Sequence, residues 1–183
     1  AAREHRQTFG SRLAGRAGSN VWDYDVEFAV QAGSVGSGSI LAFMNGSDIG
    51  FAPKSVGWKP RFHAGFDYAS GDKTPGGSAN TFNQLYPLGH AFLGYIDVVG
   101  RQNIVAPNIG ASVQPRKFLT FDATASRFWR AELGDNLYNA AGSVERAAGS
   151  STSKSVGTEL DLTMTCRIPR MVVLLGYSRM WAG

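Results

Sequence analysis

The chain contains one cysteine, Cys166, which excludes an internal disulfide and a cysteine-rich metal centre. That residue lies in an alternating run and reads as a small apolar side chain. Charge is also scarce: 17% of residues are charged, against roughly 25% in an ordinary soluble domain. Long apolar runs are missing too. None exceeds five residues, as in Met171-Val172-Val173-Leu174-Leu175, far short of the roughly 20 residues of a membrane-crossing helix. That excludes a helical membrane protein but not one that crosses with strands, which need only about 9–11 residues with every second one apolar. The 23 glycines follow no Gly-X-Y period, so collagen is excluded. Clusters of lysine and arginine with interleaved aromatics are absent, although the net charge is +4 and arginines outnumber lysines 13 to 5. No nucleic-acid partner is expected. The start, Ala1-Ala2-Arg3-Glu4-His5-Arg6, has no apolar signal-peptide core. Any such signal is expected to have been removed, or the chain to begin inside a longer protein.

What is present is a period of two. From Val21 to Gly33 one face carries Trp22, Tyr24, Val26, Phe28, Val30 and Ala32, the other Asp23, Asp25, Glu27, Ala29 and Gln31. Side chains alternate across a strand, whereas a helix would scatter those carboxylates around its circumference. The pattern recurs over 4–17, 61–70, 118–132 and 158–168. Weaker runs cover 39–51, 103–114 and 171–181. Pro107 predicts a distorted or edge position in its run. About eight strands result, each long for a soluble protein.

The connections alternate in length. Residues 18–20 and the proline-containing turns 114–117 and 167–170 are short, and 53–59 is modest. At the alternate positions stand 34–38 and two long loops, 71–102 and 133–156. Short turns at one end and long loops at the other are the habit of outer-membrane barrels. The expectation is one all-β unit over 1–183, an antiparallel transmembrane β-barrel or a fragment of one. Its apolar faces would meet lipid and its charged faces a wet lumen. Aromatics near strand ends (Trp22, Tyr24, Tyr68, Trp129, Tyr177, Trp181) match an interfacial girdle. Arg6, Arg12 and Arg16 beside Asp23, Asp25 and Glu27 match cross-strand pairing. The rivals are a soluble barrel binding an apolar ligand, and a small closed barrel with a structural or ligand-binding role.

The segment from Thr81 to Ile104, TFNQLYPLGHAFLGYIDVVGRQNI, together with Gly65-Phe66-Asp67-Tyr68-Ala69-Ser70-Gly71-Asp72, closely resembles the alginate-export family of bacterial outer-membrane proteins. The end, Leu175 to Gly183, resembles that family's penultimate strand. The resemblance runs from about Trp22 onward and is strongest over Phe82–Asn103. It implies an eighteen-stranded monomeric barrel in a Gram-negative outer membrane. Such a barrel would pass an anionic uronate polysaccharide, or related solutes, by porin-like passive diffusion. The family barrel is more than twice this length, and the final strand with its terminal aromatic is absent here. A C-terminal portion lacking its last strand is therefore expected, with the remaining strands of a larger barrel as partners alongside outer-membrane lipid.

Guanidiniums suit a polyanion pore because they present a planar donor fork to carboxylates and stay charged. On the charged faces these are Arg6, Arg12, Arg16, Arg61, Arg130 and Arg167. The acids there are Asp23, Asp25, Glu27, Asp67, Asp122, Glu159 and Asp161, with His63 beside them. These residues are the expected pore lining, and their charges nearly balance. His5, His63 and His90 share no metal-ligand spacing. Ser70 falls on the opposite parity to His63 and Asp67, which argues against a hydrolytic triad, so neither enzyme activity nor a cofactor is expected. The loop 71–102 carries Phe82, Leu85, Tyr86, Phe92 and Tyr95, enough apolar surface to pack into the barrel mouth or upon itself.

Overall fold

The computed structural model describes residues 3–74, 79–90 and 92–183. Residues 75–78 and 91, inside the expected long loop, lie outside the described residues. The described residues contain ten strands and no helix. The strands are β1 (Glu4–Ala17), β2 (Trp22–Val35), β3 (Gly38–Phe51), β4 (Arg61–Ala69), β5 (Ile104–Arg116), β6 (Leu119–Arg130), β7 (Leu137–Tyr138), β8 (Val144–Arg146), β9 (Ser155–Ile168) and β10 (Met171–Ala182). Eight form one antiparallel sheet in the order β1-β2-β3-β4-β5-β6-β9-β10, and β7 and β8 make a small hairpin between β6 and β9. β1 pairs only with β2 and β10 only with β9, so the sheet is open at both edges.

Register carries one parity across all eight strands. Arg12 faces Glu27, Glu27 faces Gly46, Gly46 faces Asp67 and Asp67 faces Ala106. Asn108 faces Ser126, which faces Glu159, which faces Met180. Most of the charged positions of β1–β4, β6 and β9 thus fall on one face, while β10 is largely apolar on both and carries Arg179 outward. The other face is apolar and exposed, with Phe9, Leu13, Ile49, Ile109 and Leu175 among its uncovered side chains. A water-soluble sandwich would bury that face; here it stands open, as a lipid-facing surface does.

Aromatics fringe the apolar face at both ends. Trp22 and Phe51 lie with ring centroids 4.8 Å apart beside Phe62 at the short-turn end. Phe43 stacks on Tyr68 at 5.3 Å, in line with Trp129 and Trp181, at the other. On β4, Phe62 and Tyr68 are six residues apart, roughly 20 Å at strand rise, somewhat less than the roughly 25 Å apolar band of such barrels.

One expectation about the connections is corrected. The 34–38 connection is a two-residue turn, because β2 and β3 run on to Val35 and Gly38, and Gly36 takes the left-handed conformation that a tight hairpin needs. The nine residues 52–60, at the opposite end, are longer than that turn, so loop length separates the two ends less cleanly than expected. Pro107 lies in an interior strand, and the pairing of β5 with β6 skips Ala106 and Pro107, where proline has no donor to offer.

The core sits on the polar face, at its long-loop end. There the inward positions turn apolar: Ala29, Ala42, Met44, Ala69, Ile104, Ala106 and Phe128 bury Phe82, Leu93 and Val99 of the β4–β5 connection together with Leu137. The connection folds back over the inner face of the sheet. Asn103 fixes its return, donating from Nδ2 to the carbonyls of Glu132 (3.0 Å) and Asn136 (2.9 Å) and accepting the Glu132 amide at 2.7 Å. In the β6–β9 connection the Tyr138 hydroxyl donates to Asp135 at 2.9 Å, and burial pushes that phenol up to about 12.

Candidate functional site

The fourteen residues expected to line a pore share the inner parity of the sheet. Their surroundings divide them. Arg12 lays its fork on Asp25, with Nε 2.8 Å from Oδ1. Arg61 reaches across β3 to Asp23 (2.6 Å from Nη2) and also pairs with Asp48. It passes over Gly50, where an added Cβ would collide with the guanidinium. His63 holds Asp48 from the other side, 2.9 Å from Nδ1, and its Nε2 lies 3.5 Å from Thr124 Oγ1.

Two of the fourteen act as fasteners. Arg6 bridges Glu4 (2.7 Å), Gln31 (2.7 Å) and the Thr81 carbonyl (3.1 Å), tying the inward connection to β1 and β2. Arg130 is 0% exposed and donates to the carbonyls of Asp135, Ser151 and Ser153. Its charge serves the β6–β9 connection and is withdrawn from the open face. Arg16 and Arg167 stay exposed at the short-turn end.

Two central residues escaped the sequence reading. Asp48 is the lone charge on the inner face of β3, whose other inward positions include Gly46 and Gly50 and so showed no charged stripe. Arg101 belongs to no strand. It reaches from the β4–β5 connection to Asp67 (2.5 Å) and Glu27 (3.7 Å), with its guanidinium over the Phe92 ring at 4.8 Å. Loop residues lack the period that marks strand faces, so no local pattern signalled it.

The apex of that connection meets the opposite part of the wall. The Ile96 amide donates to Glu159 Oε1 at 3.0 Å. Gly94, at φ +89, lets the backbone come against the Glu159 carboxyl, where a Cβ would overlap it. Between apex and wall lies a cavity of about 420 Å³, bounded by Arg12, Asp25, Asp48, His63, Asp122 and Asp161 on the sheet and by Phe92, Tyr95 and Arg101 on the connection. Asp72 and Asp97 are engaged by the Asn80 and His90 amides. Among the described residues no three His, Cys, Asp or Glu side chains converge on a metal position.

A long-stranded antiparallel meander, apolar and aromatic-fringed outside, with cross-strand ion pairs and an inward-folded loop inside, defines the wall of an outer-membrane-type β-barrel. The family model for alginate export matches residues 1–183, and the chain belongs to that family. The match takes in β1, ahead of the Trp22 from which the resemblance was read. Membership places the chain among outer-membrane export channels for alginate in general terms. No individually curated protein matches the chain.

Proposed function

We propose that this chain forms part of the wall of an outer-membrane channel through which an anionic polysaccharide of the uronate class, or a related solute, passes by passive diffusion and without catalysis. The short turns face the periplasm, the long loops face outward, and the apolar face meets lipid. The open edges β1 and β10 leave rows of backbone donors and acceptors that lipid cannot satisfy. Further strands complete them, which favours a larger barrel over a small closed one.

The observation that carries the polyanion reading is where free cations collect. Most inner-face arginines are neutralised by partners on neighbouring strands or withdrawn into loops. At the short-turn end, Arg16, Lys54, Lys59, Arg116, Lys117, Arg167 and Arg170 are all exposed. The turns themselves, 18–21, 52–60, 117–118 and 169–170, contain no acid. A ring of one sign at a mouth raises the local concentration of the opposite charge. The folded-in β4–β5 connection narrows the passage beyond.

Planar-bilayer recording tests this. Steady conductance reduced by an added oligouronate from the short-turn side supports the channel. A sealed barrel, or block from the long-loop side alone, refutes it. Replacing Lys54, Lys59 and Lys117 by Gln is expected to weaken the block several-fold, with a smaller effect at high salt.

A further inference from the structure

Ion pairing on the inner face is lopsided. On β1–β4 every inward carboxylate has a cationic partner: Glu4 with Arg6, Asp23 and Asp48 with Arg61, Asp25 with Arg12, and Glu27 and Asp67 with Arg101. On β6 and β9 stand Asp122, Glu159 and Asp161. Among the described residues no lysine, arginine or histidine lies within ion-pair distance of any of them.

These acids form one patch. Thr124 faces Asp161 across β6 and β9, Ser126 faces Glu159, and the Thr124 hydroxyl donates to Asp122 at 3.2 Å. Glu159 and Asp161 are 0% and 4% exposed; their carboxyl groups contact each other, and no other side chain or backbone group donates to Glu159 Oε2 or Asp161 Oδ1. Asp122 and Asp161 both border the cavity beneath the β4–β5 connection. An unpartnered buried carboxylate oxygen is costly to leave as it stands. The same fold supplies cations wherever an acid sits on β1–β4. The cavity is where the missing charge belongs.

We propose that this cavity binds a small organic cation bearing protonated amines. A hard metal ion would require several oxygens to converge at bonding distance, and among the described residues the acids do not converge in that way. They are instead spread along the wall, which suits a ligand whose N–H donors are themselves separated. About 420 Å³ falls in the range of small-molecule sites. The roof fits as well: the Phe92 ring already carries a guanidinium at 4.8 Å and Tyr95 lies beside it, giving aromatic faces that favour cations. Asp161 and Asp122 accept from the ammonium, and the Thr124 and Ser126 hydroxyls complete the polar floor.

Calorimetry on the intact barrel in detergent tests the site, with 1,4-diaminobutane as probe. Saturable binding is expected, weakened at least about tenfold in Asp161→Asn combined with Asp122→Asn and weakened less in Asp122→Asn alone. Glu145→Gln, on the distant β8 hairpin, should bind as the parent does. Retained heat-modifiable migration on gels verifies that the variants fold. Absence of saturable binding by the parent overturns the proposal. So does binding that survives the double substitution, or calcium chloride binding where the diamine does not. The measurement involves no transport, so its failure would leave the channel reading standing.

Discussion

The Arg101 guanidinium, carried on a connection between strands, lies 2.5 Å from Asp67 on the wall of the sheet. Both side chains are largely buried, and Glu27 and the Phe92 ring complete the clasp. Removing one member of a buried pair strands the other without compensation, at a cost of about 3–5 kcal/mol. Arg101→Ala should therefore destabilise the barrel by a few kcal/mol in urea titrations. It should also release the inward connection, seen as faster protease cleavage between 79 and 103 and higher single-channel conductance. Adding Asp67→Asn should restore part of the stability but not the closed loop. If cleavage and conductance stay at parental values, the clasp does not hold the connection.

Arg61 and Arg12 predict the same direction of change in ion selectivity. Arg61 bonds Asp23 and Asp48, whereas Arg12 bonds Asp25. Replacing either by Ala removes one positive charge from the inner face, although Asp48 keeps His63 beside it. Reversal potentials under a salt gradient should move toward cation preference in both. Identical potentials in parent and variants would remove these residues from the conducting path.

Most of the wall was legible because alternation survives wherever one face must be wet. Asp23, Asp25 and Glu27 between Trp22, Tyr24, Val26 and Phe28 fix a strand and its parity without any tertiary information. The pattern fades where both faces are apolar. Ala29 and Val30, or Ala42, Phe43 and Met44, point one side chain to lipid and the next into the core beneath the inward connection. Local sequence cannot tell those two environments apart. Glycine hides the face for another reason: Gly46 and Gly50 leave room for Arg101 and Arg61, side chains that arrive from elsewhere in the chain. The site was half readable on the same grounds. Its strand residues follow parity, whereas Arg101, Phe92 and Tyr95 are placed by the fold of a connection with no period.

Gly94 offers a separate handle on the apex of that connection. Its φ of +89 is unfavourable for any residue with a Cβ, and a Cβ there would overlap the Glu159 carboxyl. Gly94→Ala should cost about 1–3 kcal/mol in local strain. It should push the apex away from β9, breaking the bond from the Ile96 amide to Glu159. Hydrogen exchange at Ile96 should accelerate, with exchange in the centre of β2 and β3 unchanged. Pairing Gly94→Ala with Glu159→Ala removes the overlap but not the backbone strain, so stability should recover only in part. Full recovery would show that contact, and not conformation, requires glycine.

Ile109 separates a lipid-facing wall from a water-facing one. It sits near the middle of β5, 66% exposed on the apolar face, between Ala64 and Ala125 on the flanking strands. On a water-soluble protein, arginine at so open a position would shift stability by no more than about 0.5 kcal/mol. At the midplane of a bilayer, arginine on the outer face of a barrel costs about 2–4 kcal/mol. Ile109→Arg should therefore lower stability by that larger amount in lipid vesicles. Arg127→Leu, on the same face but near the long-loop end of β6, should cost less than about 1 kcal/mol. Urea titrations of both variants in vesicles measure the difference. Equal, small effects at the two positions would mean that the apolar face does not lie in lipid.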